Sequence, residues 1–264
     1  MTNVTRKGVD ERARGGLRFQ WSVVPWDSRV FGAPVLQIHE IAYQEDAAGD
    51  VLPLFETERD RLGAMIVSCR MPASRLQESM ILEAHGFRFI EMMLEPSREG
   101  LTELHLAPDP SLTVAHAEHA DMPALLEIAG TAFRNERYHV DPRLDPQKGN
   151  ERYQQWVANA LEHPSQRLIA VRDGRHIIAF FLVEMLSEGT CYWHLNAIAP
   201  PWQGRGYGRR VWSTMLMQAR EESAQRVRSC IAVRNHRVLN LYASLGFRFS
   251  EPLMTFHWVR ELRG

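Results

Sequence analysis

A strand, a glycine-rich turn and a helix follow one another between Trp193 and Gln218, and no other stretch limits the fold as tightly. The extended apolar run Tyr192-Trp193-His194-Leu195-Asn196-Ala197-Ile198-Ala199 leads into Pro200-Pro201-Trp202-Gln203-Gly204-Arg205-Gly206-Tyr207-Gly208. Behind the turn, Val211, Met215, Leu216 and Ala219 share one helical face. Glycines at 204, 206 and 208 reach backbone conformations closed to other residues and let a ligand approach the main chain. Amides converging in such a turn, with a helix N-terminus behind them, make an anion site that suits phosphate. Arg209 stands where a dinucleotide fingerprint needs its last glycine, and no Lys-Ser or Lys-Thr closes a P-loop.

The chain has 264 residues, enough for one large domain or two small ones. With 31 basic and 32 acidic side chains the net charge is −1, which argues against a general nucleic-acid binder. No apolar run approaches the roughly 18 residues that span a bilayer. Residues 1–16 are polar, without the apolar core of a secretory signal, and are expected to be a disordered tail. Cys69, Cys191 and Cys230 are odd in number and widely spaced, as in reduced cytoplasmic proteins. The scattered histidines and the lack of Cys-x-x-Cys or His-Glu-x-x-His predict no metal site.

In the first half, strands are expected over 17–24, 35–41, 64–70 and 87–95, with helices over 47–62 and 74–85 and a turn at Pro25–Ser28. The run Leu82-Glu83-Ala84-His85-Gly86-Phe87-Arg88-Phe89 parallels Tyr242-Ala243-Ser244-Leu245-Gly246-Phe247-Arg248-Phe249 at a constant offset of 160 residues, which Glu91 and Glu251 keep. It reads either as an internal repeat or as a chance match of two Gly-Phe helix ends. If a repeat, the first copy lacks the glycine loop and has Leu82 in place of Tyr242, so it should neither bind the ligand nor do chemistry. A Pro- and Ser-bearing stretch, 96–110, places the domain boundary near Asp109-Pro110.

The second half predicts a strand over 112–115 and a helix from Asp121 to Phe133. A polar segment, 135–150, is either a binding loop or a solvated connector. A helix over 151–161 and a hairpin over 167–186 come next. Beyond the glycine loop lie a strand over 226–233, a helix over 236–245 capped by Asn235, and a last strand over 249–258.

Gln203-x-x-Gly206-x-Gly208, followed by Asn235-x-x-Val238-x-x-Leu241-Tyr242-x-x-x-Gly246-Phe247, resembles the acyl-CoA loop and closing motif of the GNAT acetyltransferase superfamily over about 112–258. Trp26-Asp27-Ser28-Arg29-Val30-Phe31-Gly32, Arg137-Tyr138 and Tyr153-x-x-Trp156-Val157-x-Asn159 further resemble the TDP-fucosamine N-acetyltransferase group. The implied fold is α/β (α+β): a mixed central sheet flanked by helices in a catalytic domain over 111–264, preceded over 17–110 by a smaller, degenerate GNAT-like domain. The implied activity is acetyl transfer from acetyl-CoA to a primary amine, that of a nucleotide-linked amino sugar, by direct attack in a ternary complex. Amides of Gln203, Gly204, Arg205, Gly206, Tyr207 and Gly208 would hold the CoA pyrophosphate. Ala197, Ile198 and Asn235 would meet the pantetheine arm, with the Ile198 N–H polarising the thioester carbonyl. Tyr242 would protonate the departing thiolate, and Glu184 or His194 would take the proton of the amine. Arg137, Arg143, Arg70 and Arg75 are candidates for an acidic acceptor. The expected partner is a small-molecule amine in the cytoplasm, with no metal, nucleic acid or membrane and at most a second copy of the chain in a homodimer. Acetylation of another small amine and a non-catalytic acyl-CoA sensor are the competing readings.

Overall fold

The computed structural model describes residues 8–9, 18–43 and 51–261. It divides into two compact units, one of residues 1–93, 141–143 and 251–264, the other of 94–140 and 144–250. Except for Gly8 and Val9, which form a strand, the tail expected over 1–16 lies outside the described residues.

The first unit holds Gly8–Val9 (β1), Arg18–Val23 (β2), Pro25–Phe31 (α1), Val35–Ala42 (β3), Val51–Arg61 (α2), Ile66–Pro72 (β4), Leu76–Ala84 (α3) and Arg88–Leu94 (β5). The expected turn at Pro25–Ser28 is instead the start of α1. Proline fits the first helical position, where no N–H is needed, and Asp27 sits in the first turn.

The second unit begins with Pro96–Arg98 (β6), Leu112–His116 (β7), Met122–Ala132 (α4), Arg137–Val140 (α5) and Pro146–Ala158 (α6). Gln166–Asp173 (β8), His176–Leu186 (β9), Thr190–Ile198 (β10) and Tyr207–Glu221 (α7) follow. Arg226–Ser229 (β11), Ile231–Ala232 (β12), His236–Ser244 (α8) and Arg248–Phe249 (β13) complete it. The last strand, Leu253–Val259 (β14), belongs to the first unit. Much of the expected loop at 135–150 is therefore helical.

Each unit contains a strand that the chain delivers out of order. In the first unit β14 lies between β4 and β5, antiparallel to both. In the second, β6 lies between β11 and β13, again antiparallel to both. The registers correspond: Val67 faces Trp258, and Val227 faces Arg98. These are equivalent positions 160 residues apart.

The repeat thus extends far beyond the helix-end motif. Gly63 donates to the Asp60 carbonyl and Ser223 to Arg220, at 3.0 and 2.9 Å, and both residues are left-handed, with φ of 66° and 67°. Phe87 donates to the Leu82 carbonyl and Phe247 to that of Tyr242, at 3.0 and 3.1 Å. Each preceding glycine, 86 and 246, closes its helix at positive φ, which glycine adopts without a Cβ clash. A chance match of two short motifs would not reproduce these bonds across two helices and the strand between them.

The expected boundary at Asp109-Pro110 does not coincide with the division between the units. Asp109 is anchored within the second unit: its N–H donates to Thr214 Oγ1, and its carboxylate accepts from Arg210 and Ser111. Leu101 and Leu104 are buried in the same core as Val211 and Met215. The final strand, expected in the catalytic domain, lies in the first unit because its ladders run to β4 and β5.

Within the first unit Asp141 is fully buried, 3.0 Å from His257 Nδ1 and 2.8 Å from the Arg143 guanidinium. Burial pushes its pKa up, but hydrogen bonds from His257 and Arg143 outweigh that and hold it below the ordinary 3.8. A depressed folded-state pKa stabilises above the unfolded value and loses that contribution as pH falls through the folded one. Asp141→Asn should cost roughly 3 kcal/mol at neutral pH. Urea midpoints measured between pH 7 and 3 should show the wild-type advantage shrinking below about pH 4. A difference independent of pH would contradict the assignment.

Candidate active site

β10 runs parallel to β11 from Thr190 opposite Arg226 to Trp193 opposite Ser229, and their pairing ends there. At that point β10 carries a bulge at His194, between Trp193 paired with Val183 and Leu195 paired with Leu182. The extra residue reverses the alternation. Trp193 packs with Val211 and Met215 of α7 and with Tyr242 of α8, whereas Leu195 and Ala197 pack with α4 and α6. Asn196 is thereby turned to the α7–α8 face.

The Ala199 N–H donates to the Ile178 carbonyl on β9. Alternate amides of a strand point to one side, so that of Ala197 faces β9 too. Those of Asn196 and Ile198 face the seam where β11 has parted. The Ala197 N–H therefore points away from this seam, and its side chain packs with α4 and α6. The Gln203 side chain bonds the Ile198 carbonyl at 2.8 Å and fixes the loop against the strand.

Gly204 and Gly206 have φ of 75° and 83°, and Gly206 is the N-cap of the 15-residue helix α7. Among the described residues, no backbone carbonyl takes the N–H of Gly204, Arg205 or Gly206. Tyr207 and Gly208 occupy the first helical positions, whose N–H groups lack intrahelical acceptors. The Gln203 N–H differs: it already donates to the Pro200 carbonyl. Space beside Gly206 is open, and a Cβ there would meet nothing within 4 Å. The loop fits an anionic diphosphate. Gly208 has another task, since a Cβ there would stand 3.3 Å from Leu241 of α8.

Tyr242 is buried, its ring edge-on to Phe247 at 4.7 Å and to Trp212 at 6.3 Å. Burial pushes its pKa up; Ser229, Trp212 and Asn196 around the hydroxyl act in the opposite direction. Asn235 accepts from the Val238 N–H at 3.4 Å and so caps α8.

Glu184 and His194 do come together, with Oε2 and Nε2 2.8 Å apart. Ser165 donates to the other carboxylate oxygen at 2.5 Å, and this bond, with that to His194, lowers the Glu184 pKa. The carboxylate therefore stays ionised and orients the imidazole, which lies by Trp156 of α6 and Tyr192. The four arginines considered for the acceptor are already engaged: Arg137 with Tyr138, Arg143 with Asp141, Arg70 with Glu91, Arg75 with Glu78. Sequence reading missed Asn196, Trp212 and Ser229, which look like ordinary core or strand positions.

Residues 123–247 match the acetyltransferase (GNAT) family, so the chain carries a GNAT acetyltransferase domain and is an acyltransferase. It is similar to the spore coat polysaccharide biosynthesis protein SpsD of Bacillus subtilis (strain 168), with 22% identity over 256 residues, spanning 94% of this chain and 85% of that one. Among solved structures it resembles a GCN5-related N-acetyltransferase from Sphaerobacter thermophilus, with a TM-score of 0.61, 15% identity, and 91% and 76% of the two chains covered. A tandem GNAT protein from the clavulanic acid biosynthesis pathway gives the same TM-score at 9% identity, covering 100% of this chain and 86% of its own. No helix among the described residues is long and apolar enough to cross a membrane, and none of their His, Cys, Asp and Glu side chains form a group that could hold a metal.

Proposed function

We propose that the chain transfers the acetyl group of acetyl-CoA to a primary amine on a nucleotide-linked amino sugar, with the first unit a degenerate GNAT domain that does no chemistry. The observation that carries this reading is the open seam between β10 and β11, which has unclaimed glycine-loop amides at one end and the Tyr242 phenol beneath it.

Amides of Gly204 to Gly208, with the α7 N-terminus, would bind the diphosphate. The Asn196 and Ile198 N–H groups would receive the pantetheine arm, and the Ile198 N–H the thioester oxygen. On the α6 face His194, oriented by Glu184, would take a proton from the incoming ammonium. A C–N bond forms, the C–S bond breaks with its electron pair on sulfur, and Tyr242 gives that sulfur a proton. The nitrogen, now bonded to carbon, sheds its surplus proton to water, and the phenolate regains one from there. The polysaccharide role in the name of the B. subtilis relative supports a sugar acceptor, as does the resemblance of Trp26–Gly32 to the TDP-fucosamine group.

The test is thiol release from acetyl-CoA with TDP-linked amino sugars, compared with aminoglycosides and amino acids. Turnover is expected with the first group, and Gly206→Val should abolish acetyl-CoA binding, because valine is strained at a φ of 83°. Release only with another amine would overturn the acceptor. Binding without release on any amine would favour a sensor.

A further inference from the structure

We propose that Trp212 and Asn196 are positioning residues for Tyr242, poised as hydrogen-bond donors that stabilise its phenolate when the thiolate takes its proton, with Ser229 holding the phenol in line. This rests on the reading of Tyr242 as the acid.

That reading raises a difficulty. A thiol has an ordinary pKa of about 8.5 and a phenol of about 10. Transfer from phenol to thiolate is therefore uphill even in water, and burial makes it steeper. Something must favour the phenolate at the moment it forms. Ser229 cannot do so alone, because its hydroxyl hydrogen is committed to the Trp193 carbonyl at 2.9 Å. It presents only lone pairs, which can accept from a neutral phenol but cannot donate to a phenolate. The Asn196 amide, 3.5 Å from Ser229 Oγ, carries two N–H groups at this spot. The Trp212 indole N–H is buried and has no hydrogen-bond partner among the described residues, and the indole lies T-shaped to the Tyr242 ring, with centroids 6.3 Å apart. A buried donor left unmatched is costly. Here an acceptor strong enough to engage it appears only when Tyr242 gives up its proton.

The first unit supplies an internal comparison. Its parallel pair also ends, at Ile38 opposite Cys69, with a bulge at His39. At the 160-residue offset Trp212, Ser229 and Tyr242 correspond to Leu52, Cys69 and Leu82, and the strand register, in which Trp193 opposite Ser229 matches Ile38 opposite Cys69, sets Asn196 against Ile41. All four of these are buried in one apolar cluster. The same backbone is thus filled with aliphatic and thiol side chains where no glycine loop exists. Donors and acceptors converge only in the unit that has one. Folding alone does not demand these four polar groups.

Trp212→Phe keeps a ring beside Phe181 and Tyr242 and removes the N–H; Asn196→Leu removes the amide at a half-buried position. Both are made with and without Tyr242→Phe, and thiol release from acetyl-CoA is measured with the amine that supports turnover. Each should lower turnover about 10-fold when Tyr242 is present and less than about twofold when it is absent. Equal losses in both backgrounds would overturn the proposal, because a structural role does not depend on the phenol. A second measurement needs no substrate: the chain is labelled with ¹³C at tyrosine Cζ, and the signal lost in Tyr242→Phe is followed against pH. Both variants should move its titration up by roughly half a unit or more; unchanged titration would again overturn it. If Tyr242→Phe leaves turnover intact, the acid assignment falls, while the titration still decides whether these donors act on the phenol.

Discussion

Tyr242→Phe should lower turnover by about 100-fold or more while leaving acetyl-CoA affinity within about threefold. The substitution removes one oxygen from a buried ring and keeps its edge-on contacts with Phe247 and Trp212. Ser229 still has the Trp193 carbonyl as its acceptor, so the strand ends at the seam stay tied. What is lost is the proton for the departing sulfur, an interaction needed only as the C–S bond breaks, so the loss should fall on turnover rather than on binding. Steady-state thiol release gives the first quantity and calorimetric titration with acetyl-CoA the second. Unchanged turnover would remove Tyr242 from the mechanism; equal losses of turnover and binding would make it a packing residue. Since burial holds the phenol pKa above its ordinary value, Tyr242 stays protonated through neutral pH, and loss of its proton should not limit activity there.

The sequence made α8 legible because its start and stop are local. Asn235 caps it, Val238, Leu241 and Tyr242 line one side, and Gly246 closes it at positive φ. The glycine loop was equally local, as was the pairing of Glu184 with His194 across a hairpin. Long-range features were not. Nothing near Pro96–Arg98 announces a strand: it is three residues long, begins with proline, and its partners Val227, Arg228, Arg248 and Phe249 lie more than 120 residues away. Proline at 25 is compatible with a turn or a helix start, and only the fold decides. Asn196, Trp212 and Ser229 were overlooked because each, taken singly, looks like an ordinary strand or core residue. For Trp212 and Ser229 the signal was available in the offset between the copies, read past the helix-end motif: a polar side chain matching Leu52 or Cys69 in the other copy marks a place where packing alone does not choose the residue, whereas Asn196 matches Ile41 only through the strand register.

Deleting residues 251–264 should unfold the first unit, although the deletion lies at the opposite end of the chain from β4 and β5. β14 supplies the ladder to both, and its Thr255, Phe256 and His257 are fully buried. Without it two strands face each other across an empty lane, with unpaired N–H and C=O groups along both edges. Amide exchange should show protection in Ile66–Pro72 and Arg88–Leu94 lost by orders of magnitude, and the truncated chain should aggregate through those edges. A milder probe is Phe256→Ala, which empties part of the cluster around Leu82 and Phe87 and should cost about 4 kcal/mol. The reciprocal cut, a chain of residues 111–264, should fare no better, since it leaves the β6 lane between β11 and β13 unfilled. Restored protection when a peptide of residues 251–264 is added to the truncated chain would show that the strand itself is what each unit needs. Undiminished protection in β4 and β5 without β14 would mean that the first sheet closes on its own, and the exchange of strands would then carry no stability.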